Sequence, residues 1–153
     1  MQKRFLAVSV CVLAVTLAAF AQNKSAGGAP DKAYMQKIWD GWAQLDTSNV
    51  APFYAKGQHV FFDIAPLKYN SWDEYQAGVT KELGDYKSAA FQVNDDVQTH
   101  PAGEYVWATS TVKFDMVHKS DKHDMGNFRW TVVFGKQEGK WVIVHEHVSV
   151  PME

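Results

Sequence analysis

Two carboxylates and one arginine stand where the sequence is otherwise apolar. Asp63 closes the run HVFFDI, Glu146 interrupts the valines of GKWVIVHEHVSVP, and Arg129 opens the run RWTVVF. Apolar surroundings penalise the charged form of a carboxylate and raise its pKa, which suits it to take a proton from a carbon next to a carbonyl. An arginine beside it would stabilise the oxyanion that develops, or would grip a ligand carboxylate without any catalysis. Each residue also has a purely structural reading. Arg129 and Glu146 could form a buried, hydrogen-bonded pair, and Asp63 could cap the turn that follows it. His145 and His147 lie two apart on one strand, a spacing that would let both reach a metal. The strand register places only Val132 and Trp130 beside them, so no metal is expected. His118 and His123 flank a hairpin tip together with Asp121 and Asp124 and read as a solvated loop. The chain has no glycine-rich phosphate loop, no serine or cysteine nucleophile motif and no zinc-type spacing, and no cofactor is expected.

The elements that must position these residues follow from periodicity. Tyr34, Ile38, Trp42 and Leu45 recur at helical spacing, which predicts a helix over 31–45. Asp46 and Thr47 can cap a second short helix over 48–54. A short strand over 59–64 comes next. Ser71 and Glu74 form the S-x-x-E capping box of a helix that runs to Leu83, with Gly84 as its stop. Strands are then predicted over 90–100, 104–118, 123–136 and 140–150, joined by short turns, which implies antiparallel neighbours. Helices first and a long meander afterwards define an α+β layout, with the helices on one face of the sheet.

Turn lengths set the expected register. A two-residue loop at Glu138-Gly139 places Phe134 opposite Ile143, Val132 opposite His145 and Trp130 opposite His147. Arg129 and Thr131 then share a face with Glu146 and Val148. A four-residue loop at 119–122 adds Val106, Ala108, Ser110 and Val112 to that face. The other face becomes broad and aromatic, with Tyr105, Trp107, Phe128, Trp130, Phe134 and Trp141 beside the two histidines. A slip of one residue in either turn would exchange the faces.

The N-terminus reads as a secretory signal. Lys3 and Arg4 precede an apolar run over 5–18, and Ala19-Phe20-Ala21 is an A-x-A cleavage site, so residues 1–21 are set apart from the fold and 22–30 form a Gly/Ala/Ser-rich leader. The single cysteine, Cys11, lies inside that signal, which leaves the processed chain without thiol chemistry or disulfides. The remainder, 31–151, suits one domain. Loss of Lys3 and Arg4 takes the formal charge from −2 to about −4, with no basic block to hold nucleic acid. No second apolar run long enough to span a bilayer follows. A secreted, periplasmic protein is expected.

Three stretches, IWDGWAQLD, HVFFDIAPLKYNSWDEY and FRWTVVF with EGKWVIVHEHVSVP, resemble the SnoaL-like branch of the nuclear transport factor 2-like superfamily, and the last is also similar to the end of the association domain of calmodulin-dependent protein kinase. The resemblance spans 31–151. It implies a strongly curved antiparallel sheet wrapped round N-terminal helices, with a conical pocket on the concave side and a convex back that many members use to form dimers. By similarity, Glu146, Arg129 and Thr131 face that pocket, and Asp63 falls near the general-base carboxylate of the ketosteroid isomerase relatives. Thr131 stands about where those enzymes place a second acid, a departure that argues against their chemistry. Trp42 and Tyr69 are the expected pocket walls, since small-molecule sites are apolar with a few polar groups. The superfold hosts many activities. The expectation is a small apolar or carboxylate-bearing ligand, with isomerase or lyase chemistry at Asp63 and Glu146. The alternative is a non-catalytic module that pairs through the aromatic sheet face.

Overall fold

The computed structural model describes residues 28–152. The signal expected over 1–21, its Cys11 and residues 22–27 of the leader lie outside the described residues. Helix α1 spans Lys32–Trp42. Asp31 caps it by accepting a hydrogen bond from the Tyr34 amide at 2.9 Å. Its apolar stripe buries Met35, Ile38, Trp39 and Trp42. The second short helix resolves into two 3-10 turns, Thr47–Asn49 and Ala51–Phe53, the first capped by Asp46. Strand β1 is only Phe61–Phe62. Helix α2, Trp72–Leu83, starts at Ser71, whose hydroxyl accepts from the Glu74 amide, and stops at Gly84 as expected.

Five strands follow: β2 Tyr86–Val93, β3 Gln98–Ala102, β4 Tyr105–His118, β5 His123–Gln137 and β6 Lys140–Ser149. The single strand expected over 90–100 is therefore two, and both β2 and β3 pair with β4. The sheet order is β1-β6-β5-β4-β2. All pairings are antiparallel except β1 with β6, which is parallel, so the sheet is mixed. Trp39 of α1 packs on Phe91, Phe128 and Trp130 with ring centroids 4.8–5.2 Å apart, which places the helices on one face of the sheet.

The register differs from expectation at both edges of β5. Val117, not His118, opposes His123, so the β4–β5 connection is one residue longer than the four-residue loop. At the other edge the two-residue turn is present, with Gln137 opposite Lys140 and Phe134 opposite Ile143. The register then shifts, so that Val133 pairs with His145 and Val144 is left as the extra residue of a bulge. Each slip moves β5 by one residue against a neighbour and exchanges its faces relative to that neighbour. Phe128, Trp130, Val132 and Phe134 are consequently buried beside Val106, Ala108, Ser110 and Val112 of β4 and beside Glu146 and Val148 of β6. The face expected to be an aromatic back is, on β5, the core. Arg129 and Thr131 lie on the opposite, outer face and are exposed.

Candidate functional site

Glu146 faces inward, as expected, but its partners are different. It is 1% exposed. The Tyr54 hydroxyl donates to Oε1 at 2.7 Å, and the Trp130 indole N–H donates to Oε2 at 2.8 Å. Tyr54 in turn accepts from the Trp42 indole at 3.1 Å. Both neutral donors exist because the bulge at Val144 turns Glu146 inward and because β5, displaced by one, turns Trp130 towards it. Arg129, expected as the counter-ion, instead donates to the Val150 carbonyl at 2.9 Å on the outer face. Thr131 pairs with His147 there, away from any inward group. With no cation within ion-pair distance among the described residues, burial dominates and pushes the Glu146 carboxyl up to about 7.

In front of this buried network lies a cavity of about 510 Å³ between the helices and the sheet. Its walls are Trp39 and Trp42 of α1, Phe91 of β2, Phe114 of β4 and Phe128 of β5, with Val79 and Leu83 of α2. Asp63, Tyr75, Glu82, Asp85, Tyr86, His118 and Asp124 supply its polar edge. Glu146 is not on the wall; it sits behind, in the aromatic cluster of Trp42, Tyr54, Trp72 and Tyr75. Trp42 is a wall, as expected. Tyr69 is not. It is 5% exposed and packs behind Tyr75 at 5.0 Å, over Gly78, where an added Cβ would meet its hydroxyl oxygen at 2.5 Å.

Of the two carboxylates conspicuous in the sequence, Asp63 is the one that reaches the cavity. Its Oδ1 accepts from the Ile64 amide at 2.7 Å, the turn-capping bond the sequence allowed, and its Oδ2 accepts from the Tyr75 hydroxyl at 3.1 Å. The two functions therefore coexist in one side chain. Burial raises its pKa, against the two hydrogen bonds that hold it down. Tyr75 is raised well above the ordinary phenol range by burial and then by the charges of Asp63 and Glu146, so it remains a donor.

The rim formed by His118, Asp124 and Tyr86 was missed as a functional cluster. Nε2 of His118 lies 2.6 Å from Oδ2 of Asp124, and the Tyr86 hydroxyl donates to the same oxygen at 3.0 Å. The Tyr86 and His118 rings lie 4.2 Å apart, tilted by 34°. Lys122, whose Nζ is 2.8 Å from Oδ1, and the His118 contact hold the Asp124 carboxyl well below its usual range. The signal was present in β4: Val112, Phe114, Met116 and His118 continue the alternation that begins at Val106, so His118 belongs to the inner face. Among the described residues no group of three metal-ligating side chains converges.

These elements, in this order, are those of the nuclear transport factor 2-like fold. A superfamily member from Salmonella enterica superposes with a TM-score of 0.72 at 15% identity, covering 80% of this chain and 89% of that one. A protein inferred to be a dehydratase of the same family, from Streptomyces avermitilis, gives 0.67 at 12% identity over 78% and 91%. The association domain of the Caenorhabditis elegans calmodulin-dependent kinase II gives 0.62 at 14% over 77% and 91%. Within that fold, the chain belongs to the SnoaL-like domain family, which matches residues 32–153. No curated protein matches the chain.

Proposed function

We propose that the chain is an exported protein that binds a small ring compound in this cavity and acts on it by acid–base chemistry of the isomerase or lyase type. One observation carries the reading: Asp63, a carboxyl group whose pKa burial raises, accepts from the Tyr75 hydroxyl at the edge of an aromatic-walled cavity large enough for such a molecule. Asp63 is the base, Tyr75 orients it, and Glu146 acts only through Tyr54 and Tyr75, as a positioning residue. His118 supplies a second acid–base group. Asp124 takes Nε2, which leaves Nδ1 as the ring nitrogen that can give or take a proton. Asp63 would take the proton from carbon, and the imidazolium of His118 would give one from Nδ1 to the departing hydroxyl group, which leaves as water. The inferred dehydratase activity of the Streptomyces relative is of this kind.

The test is a thermal-shift screen of the purified protein with ring compounds bearing carbonyl or hydroxyl groups, followed by absorbance assays for a new or displaced double bond. Compounds that stabilise the protein and are turned over are expected, with Asp63→Asn binding them but losing turnover. A screen without any stabilising compound would end the binding reading. Binding that Asp63→Asn leaves equally active would end the catalytic one.

A second reading is favoured by one observation. Tyr105 and Trp107 on β4 remain 51% and 41% exposed on the outer face of the sheet, which suits pairing between two copies of the chain. The relative from Caenorhabditis elegans is an association domain by name. This reading needs no catalysis.

A further inference from the structure

We infer that the cavity selects positively charged ring compounds, amines above all, over the matching alcohols and carboxylic acids. This rests on the reading of the cavity as the binding site. The ionisable side chains on its edge are unequal in sign. Among the described residues Asp63, Glu82, Asp85 and Asp124 line it, with His118 and two tyrosines, and no lysine or arginine does. Asp124 is already served by His118 on one oxygen and by Lys122, outside the lining, on the other. Asp63, at the end of β1, Glu82, in the last turn of α2, and Asp85, in the turn into β2, have no ion-pair partner among the described residues.

The walls point the same way. Trp39, Trp42, Phe91 and Phe128 offer aromatic faces, which attract a cation through their quadrupoles more strongly once it leaves water. Glu82 is pushed towards its neutral form first by burial and then by the charge of Asp63, which shows that these carboxylates sense one another across the edge. A bound ammonium group would relieve that repulsion, whereas a carboxylate would add to it. With Arg129 on the outer face, nothing on this wall is built to hold an anion.

Isothermal titration of the full purified protein at low salt and neutral pH decides it, with three probes of one skeleton: naphthylmethylamine, naphthylmethanol and naphthoate. The amine is expected to bind on the order of tenfold tighter than the alcohol, with naphthoate weakest. Raising the salt concentration should narrow the gap between amine and alcohol. Glu82→Gln combined with Asp85→Asn, both at exposed positions, should bring the amine down to the level of the alcohol. Equal affinities for amine and alcohol, or naphthoate as the tightest probe, would overturn the inference while leaving the cavity as a binding site. If none of the three binds, the cavity reading falls and this inference falls with it.

Discussion

At Glu146 a carboxyl group is buried with no counter-charge among the described residues. It is raised from the ordinary 4.5 to about 7 in the folded chain, chiefly by burial. A carboxyl raised on folding binds more protons in the native than in the unfolded state between those values, so stability falls as pH rises through that window and levels off above it. The expected loss between pH 4.5 and 7 is roughly 3 kcal/mol. Urea unfolding at pH 5 and pH 8 should show that loss in the wild type, and its absence in Glu146→Gln. A wild type equally stable at both pH values would contradict the assignment. Glu146→Ala leaves the Tyr54 hydroxyl and the Trp130 indole without their acceptor in a closed core, and should cost about 3–5 kcal/mol at pH 5 in the same experiment. At this scale the sequence was legible where a residue contradicted its own neighbourhood. Asp63 after Phe61-Phe62 and Glu146 among valines are conspicuous on a line of text. Their partners were not. Tyr54 and Trp130 look like ordinary core aromatics until the chain brings their polar atoms to the carboxylate.

Among the elements, β5 decides where everything else points. It lies between β4 and β6, and it is offset by one residue at each edge from the register that turn lengths suggest. The bulge at Val144 lets Ile143 and Glu146, residues of opposite parity, both face the core, where they are 0% and 1% exposed. Deleting Val144 removes that compensation and carries one end of β6 to the wrong face. The variant should lose the near-ultraviolet circular dichroism of the packed Trp39–Trp130 pair and its cooperative unfolding, whereas Val144→Ala, which keeps the extra residue, should retain both. A deletion variant with the native spectrum would refute the phase argument. Caps and stops were legible where they act over three or four residues: Ser71 starts α2 and Gly84 stops it as the sequence indicates, whereas α1 ends at Trp42, short of the Leu45 that periodicity suggests. The bulge was not, because nothing local marks Val144 apart from its neighbouring valines, and only pairing along the whole strand makes it the extra residue.

The molecule as a whole presents an inner and an outer face, and a prediction belongs to each end of its history. If the chain is exported as proposed, intact-mass measurement of protein recovered from a periplasmic fraction should show a chain beginning at Gln22; full-length mass there would reject the cleavage site. If the outer face pairs two copies, sedimentation at low micromolar concentration should give a dimer, and Trp107→Glu, at a 41% exposed position, should give a monomer. A wild-type monomer would leave the cavity as the working surface of the protein. That outer face is smaller than the aromatic content of the strands suggests, since Phe128, Trp130, Val132 and Phe134 are spent on the core. The α+β class, the helix caps, the strand count to within one and the two unusual carboxylates are properties of the sequence itself, because periodicity and turn chemistry are local. Which of those two carboxylates meets the cavity, which donors hold the other, that Arg129 serves the outer face and that His118 serves the inner one were decided only in three dimensions. The reason is the two-residue repeat of a strand: a single added residue leaves every local signal intact and reverses the side of the sheet on which a side chain does its work.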